Sequence, residues 1–241
     1  MAGNREKKRD PKAGLALLWG EQEQPRRGPK PSLTPQRIVA GAIAIADAEG
    51  LDALSMQRVA AELDVTTMAL YRYVPGKAEL VDLMVDSALG TPTPVGDIPG
   101  GWRPQLAAWA RQCWALYRRH RWILTATTMR RQLMGPNQLA WLDAALAALS
   151  QTGLGAAQQH DAFLLIIGHI RSLAQQLVDA DEDGAEEWDR LAADVLERHG
   201  HRYPALTAAI AAGAFVPQDA DPLDFGLERI LDGIAALTGR P

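Results

Sequence analysis

The chain has 241 residues, 47% of them apolar and dominated by Ala and Leu, which is enough for a sizeable helical core. A single cysteine, Cys113, excludes an intrachain disulfide framework and points to a reducing, cytoplasmic setting; no run approaches the ~18 apolar residues of a membrane span, so no membrane partner is expected. The net charge of −4 is unevenly placed: residues 24–37 carry Arg26, Arg27, Lys30 and Arg37 with no acid, residues 65–78 carry Arg72 and Lys77 with no acid, and the acidic surplus lies after residue 90.

Residues 1–33 read as a flexible basic arm, broken by Pro25, Gly28, Pro29 and Pro31. Within it, a short amphipathic piece around Ala13–Trp19 can form a helical turn that docks. Thr34-Pro35 starts a helix, because Thr caps the free amides and Pro suits the first helical position. Ile38, Ala42, Ile45 and Ala46 then share one face until Gly50. Ser55 caps a second helix with Met56, Val59, Ala60 and Leu63 inward. Thr66 caps a short third helix running through Tyr71 to Tyr73. Pro75-Gly76 breaks the chain, and a fourth helix starts at Lys77 with Leu80, Leu83, Met84 and Ala88 inward. Thr91–Gly101 holds three prolines and three glycines and reads as a linker. Beyond it the pattern predicts helices at roughly 102–120, 122–132, 136–151, 155–179, 185–199, 204–212 and 222–238. The run 155–179 is apolar on more than one face, as in a helix covered by its own core and by a partner.

Residues 55–73 have helix-turn-helix proportions, a helix of about nine residues, a turn of about three and a second short helix. In such a pair one helix crosses the phosphates and sets the angle at which the other enters the major groove. Ala60 permits close crossing, and Leu63, Val65 and Leu70 supply the pins between the two. Short helix pairs are common, so spacing alone does not single this one out.

The residues do. Ala48-Glu49-Gly50, Leu54-Ser55, Val59-Ala60-Ala61-Glu62-Leu63, Leu70-Tyr71-Arg72-Tyr73-Val74 and Lys77-Ala78-Glu79-Leu80 follow one another in the order seen in the TetR (tetracycline repressor) family, and the whole run 33–86 resembles that family's DNA-binding domain. The C-terminal two thirds is similar to the family's effector domains more loosely, through helix count and the Gly168-His169 region. The resemblance implies an all-α fold: a three-helix helix-turn-helix DNA-binding domain at 34–90 and a larger helical effector-binding and dimerisation domain at 91–241. It also implies a homodimer that represses transcription and leaves a palindromic double-stranded DNA operator when a small apolar or amphipathic effector changes the spacing of its two reading heads. One departure stands out. The family usually places Gly where Asp64 stands, because the turn needs a left-handed backbone, and Asp is among the few other residues that tolerate it.

Thr66, Thr67, Met68 and Ala69 open the recognition helix and are expected at base edges. Met68 and Ala69 suit a thymine methyl, and Thr67 can donate or accept a hydrogen bond. The resemblance adds Gln57 as a base-contacting position and Tyr71, Tyr73 and Lys77 as phosphate contacts, with Arg72 in the same set. Packing between helices is the alternative for Tyr71 and Tyr73, and a solvated charge for Lys77. Arg26, Arg27 and Lys30 suit a minor groove, or else a solubilising tail. The basic knot Arg118, Arg119, His120 and Arg121 falls at a helix end and reads as complementing the dipole.

Six of the seven tryptophans lie after residue 100. Trp102, Trp109, Trp114, Trp122 and Trp141, with Cys113, Tyr117, Met129, Met134 and Phe163, are candidates to line an apolar effector pocket, with His169 and Gln175 as its polar members. Ordinary core packing is the alternative for each. Helices 155–179 and 222–238 are expected to pair with their symmetry mates in a four-helix bundle. The five histidines lack metal-ligand spacing, so neither metal nor cofactor is expected. Two rival readings remain: a ligand-independent architectural DNA-binding protein, and an all-helical enzyme using Cys113 with His120 or His169, for which no orienting motif exists.

Overall fold

The computed structural model describes residues 11–21, 33–128, 133–180, 185–214, 216 and 220–239, with the side chains of Ala13, 177–180 and 185–189 outside that set. Among the described residues every regular element is helical. Helix α1 spans Pro11–Leu18, α2 Pro35–Glu49, α3 Met56–Glu62, α4 Thr67–Tyr71 and α5 Lys77–Leu89. After the linker come α6 (Trp102–Arg119), α7 (Trp122–Thr128), α8 (Pro136–Ser150), α9 (Ala156–Ala180) and α10 (Ala185–His199). A 3₁₀ turn at Gly200–Arg202 leads into α11 (Pro204–Ala211), and α12 covers Pro222–Thr238.

Local chemistry sets the first boundaries. Thr34 Oγ1 accepts the Arg37 N–H at 3.2 Å and Ser55 Oγ accepts that of Arg58 at 3.0 Å, each satisfying an amide that the first helical turn leaves free. Gly50 ends α2 at φ 82°, where a β-carbon would be strained. Ile38, Ala42 and Ile45 of α2 meet Val59 of α3, Leu70 of α4 and Leu80 and Met84 of α5 in one buried core. Each fully enclosed leucine there contributes about 1.5–3 kcal/mol. Helix α4 stops at Tyr71, two residues short of the expected Tyr73. The last turn tightens through Tyr73 and Val74 amides that both donate to the Leu70 carbonyl, and Val74 must take an extended form ahead of Pro75.

The docking helical piece expected around Ala13–Trp19 of the arm is present as α1. Helix α1 lies on α5 with Leu17 and Leu18 buried, and Gly14 sits so near Leu133 that a β-carbon would come 2.7 Å from its Cδ1. Burial of that apolar face outweighs the ordering entropy of a short segment. Arg26, Arg27 and Lys30 lie outside the described residues.

Helices α6, α8, α9 and α12 pack on one another around Leu106, Ala110, Ala145, Leu149, Ile166, Ile170, Leu223 and Leu227. Arg103 latches α12 to α6 through Glu228 at 2.6 Å and Asp232 at 2.7 Å. The outward faces of α9 and α12 stay apolar, with Leu164, Leu165, Phe225 and Leu237 all exposed.

Two polar junctions join the groups of helices. Asp86 of α5 points at the start of α8, where its Oδ1 accepts the amides of Asn137 at 3.0 Å and Gln138 at 3.1 Å. Gly135 must be glycine here, because a β-carbon would collide with the Asp86 carboxylate. Burial raises the Asp86 pKa, and the donors from Gln138 and Asn137 pull the other way. At the second junction Asp47 of α2 takes the His120 Nδ1 contact and the Trp122 Nε1–H, both at 2.7 Å. The helix-end role expected for His120 is thereby corrected: the ring is buried against a carboxylate rather than presented to the dipole and solvent.

Candidate nucleic-acid interface and ligand cavity

The turn between α3 and α4 depends on Asp64, which adopts φ 54° as the pattern of the turn demands. The Val65 amide donates to the Ala60 carbonyl at 3.0 Å and closes it. An L-residue carries a steric penalty in this region that glycine does not. Asp64→Gly is therefore expected to raise stability by up to about 1 kcal/mol, partly offset by the freer unfolded chain. An unchanged or lowered urea midpoint would show that the Asp64 side chain itself supports the turn.

Thr66 Oγ1 accepts the Ala69 amide at 3.3 Å and starts α4, while Leu70 behind it is fully buried. With Leu70 fixed inward, helical periodicity turns the opposite side outward. Met68 is 74% exposed there, which is unusual for a large apolar side chain unless something covers it. Thr66, Tyr71, Arg72 and Lys77 are exposed, Thr67, Ala69 and Tyr73 half-buried, and Gln57 is exposed on α3. Helix α3 is tied to the end of α2 by Arg58, which bonds Glu49 at 2.7 Å and, within α3, Glu62 at 2.8 Å.

Below the reading head, α5 forms one wall of a cavity of about 320 Å³ through Val85 and Leu89. Trp109, Cys113, Leu116 and Tyr117 of α6 and Ile123 and Thr127 of α7 line it further. Met134, then Gln138, Trp141 and Leu142 of α8, and Phe163, Ile167 and Arg171 of α9 complete it. The aromatic rings interlock: Trp109 lies 6.2 Å from Trp141 at 61° and 5.9 Å from Phe163 at 58°. Both indole N–H groups are spent on backbone, Trp109 on the Trp141 carbonyl at 2.9 Å and Trp141 on those of Gly90 at 2.9 Å and Leu89 at 3.2 Å. The rings thus offer the cavity apolar surface rather than donors.

Six of the predicted pocket residues, Trp109, Cys113, Tyr117, Met134, Trp141 and Phe163, come together around this cavity. Met129 lies outside the described residues. Five others are placed elsewhere, Gln175 among them, exposed on α9. Trp102 is buried at the start of α6, and Trp114 turns to α12, where its Nε1–H meets Asp221 at 3.2 Å. Trp122 is held by Asp47, and the His169 ring packs against Gly226 of α12. The reason is angular: 109, 113 and 117 follow one stripe of α6, and Trp114 sits about 100° round from Cys113. The sequence reading missed Arg171, although it is the one Lys or Arg between Arg131 and Arg190 and continues the stripe of Phe163 and Ile167.

Burial pushes the Cys113 thiol well above its ordinary pKa, so it is held as the neutral thiol. His120 is engaged by Asp47 and the His169 ring lies on Gly226, so the cysteine–histidine pairing weighed above is not assembled.

A short capped helix turned outward, and one long helix that both supports it and walls a ligand-sized cavity, define a helix-turn-helix regulator with a sensing domain. Residues 38–84 match the model of bacterial regulatory proteins of the tetR family, and residues 94–238 match that of the tetracyclin repressor-like C-terminal domain. The chain belongs to the TetR family of transcriptional regulators. It is 42% identical to the HTH-type transcriptional repressor DrrR1 of Streptomyces coeruleorubidus, across 94% of this chain and 86% of that one. It is 31% identical to an HTH-type transcriptional regulator of Saccharopolyspora erythraea, across 92% of each chain. Among solved structures it is similar to the TetR family protein ActR of Streptomyces coelicolor in complex with actinorhodin, with a TM-score of 0.73 and 30% identity over 86% of this chain and 99% of that one.

Proposed function

We propose that this chain is a homodimeric repressor that holds a two-fold symmetric operator through residues 66–77 of each protomer and releases it when a small, largely apolar effector fills the α5–α9 cavity. In this reading residues 34–90 are the DNA-reading head and residues 91–241 the sensing and dimerising domain. The observation that carries it is the double duty of α5. Val85 and Leu89 wall the cavity, Asp86 caps α8, and Leu80 and Met84 support α2–α4 from behind. An effector that moves this wall moves the head, and its differential affinity for the two arrangements sets how far the equilibrium shifts. DrrR1 is named a repressor, and ActR is solved with a small molecule bound, which supports the same cycle here. The cavity counts against a ligand-independent architectural role. No helix among the described residues is long and apolar enough to cross a membrane, in keeping with a protein acting beside its DNA in the cytoplasm.

The exposed stripes of α9 and α12 suit the second protomer. Leu164, Leu165, Phe225 and Leu237 would be covered in a four-helix bundle, and Gly168 and Gly233, with open space before them, allow close approach.

Two variants separate reading from anchoring. Thr67→Ala is expected to narrow the preference for the chain's own promoter DNA over random DNA by about 1 kcal/mol. Lys77→Ala is expected to weaken both alike and to lower the salt slope of binding by about one unit. Fluorescence anisotropy across a salt series measures both quantities. Equal losses on the two DNAs for Thr67→Ala, or an unchanged slope for Lys77→Ala, would contradict the assignment.

A further inference from the structure

The polar end of the cavity is built around Arg171. Its Nη1 donates to Thr127 Oγ1 at 2.7 Å and to Tyr117 Oη at 3.3 Å, and its guanidinium lies 5.8 Å from the centre of the Tyr117 ring. Both anchoring groups are neutral hydroxyls. Burial raises the Tyr117 pKa despite the neighbouring guanidinium, so the phenol keeps its proton and supplies no counter-charge. Among the described residues no carboxylate pairs with Arg171. The other arginines drawn into helix–helix contacts behave differently: Arg103 and Arg111 both have acidic partners. A half-buried cation in an apolar chamber without a counter-ion carries a desolvation penalty that a bound anion relieves. With Nη1 anchored, the Nε and Nη2 edge remains to grip two oxygens side by side.

Resting on the cavity reading above, we infer that Arg171 selects the effector: a largely apolar aromatic molecule that carries a carboxylate or comparable anionic oxygen pair at one end. The rings of Trp109, Trp141 and Phe163 take the apolar body, and the two indole N–H groups, being committed to backbone, do not compete for its oxygens. The guanidinium then fixes which end points towards α7.

The test uses anthraquinone-2-carboxylate and its neutral carboxamide as probes, titrated into the full chain by calorimetry, with thermal unfolding as the folding control. The wild type is expected to bind the carboxylate about ten- to a hundred-fold more tightly than the amide. Arg171→Gln should bring that ratio near one by weakening the carboxylate far more than the amide, and Arg171→Lys should keep a reduced preference. Leu142→Trp, which fills the cavity, should abolish binding of both probes. Equal wild-type affinities that Leu142→Trp abolishes, or a preference that survives in Arg171→Gln, would overturn the role of Arg171 and leave the cavity reading standing. Binding of neither probe, or binding indifferent to Leu142→Trp, would overturn both.

Discussion

Trp109→Ala is expected to lower the stability of the fold by about 3–5 kcal/mol, the largest single-residue loss in the sensing domain. Trp109 is 2% exposed, stands edge-on to Trp141 and tilted against Phe163, and donates the N–H that ties α6 to the Trp141 carbonyl of α8. Alanine removes the packing of an indole beside an existing cavity, so the neighbours have little to collapse onto. The loss should appear as a lower urea midpoint with an unchanged denaturant slope. Trp109→Phe, which keeps a ring and loses only the donor, should give back most of the difference and leave a deficit near ~1 kcal/mol. A loss of under about 1 kcal/mol in the alanine variant would mean that α6 and α8 are not joined as described.

The second large effect concerns assembly. Leu165→Asp combined with Phe225→Asp is expected to turn the proposed dimer into a monomer and to lower promoter affinity by about 10²- to 10⁴-fold. Leu165 is 62% exposed and Phe225 75% exposed in the single chain, so the substitutions should leave the protomer's own fold intact. Across a two-fold axis each introduced carboxylate would be desolvated against apolar surface and brought towards its own symmetry mate. With one head bound, the second no longer gains from being tethered near its half-site. Sedimentation and promoter binding read the two consequences separately. A variant pair that sediments as a dimer would remove α9 and α12 from the interface.

Much of this fold was legible before any coordinates. Thr34, Ser55 and Thr66 announce helix starts by side-chain chemistry that acts within three residues, and each hydroxyl accepts the amide such a cap requires. Asp64 was legible for the same reason, since the turn fixes the sign of φ locally. What failed needed distant partners. The amphipathic piece of the arm reads as a docking turn, but where it docks does not, because the surface belongs to α5 and Leu133 and nothing within residues 1–33 encodes it. The tryptophan count predicts burial but not direction: Trp102, Trp114 and Trp122 are as enclosed as Trp109, yet face other seams. Arg171 escaped notice because a basic residue on a long helix ordinarily reads as solvent-facing, and only the positions of Tyr117 and Thr127 turn it inward. From sequence His120 reads as a helix-end charge, because its partner, Asp47, lies in a different helix far back in the chain.

The central claim is that residues 66–73 enter the major groove, once per protomer. Chemical footprinting of the chain on its own promoter DNA tests it most directly, with guanine N7 methylation reporting the major groove. The expected pattern is two protected major-groove segments on one face of the duplex, their centres about one helical turn (~34–36 Å) or a whole multiple of it apart, and both erased together by mutation of either half-site. A single protected segment, or protection confined to the minor groove, would contradict the account.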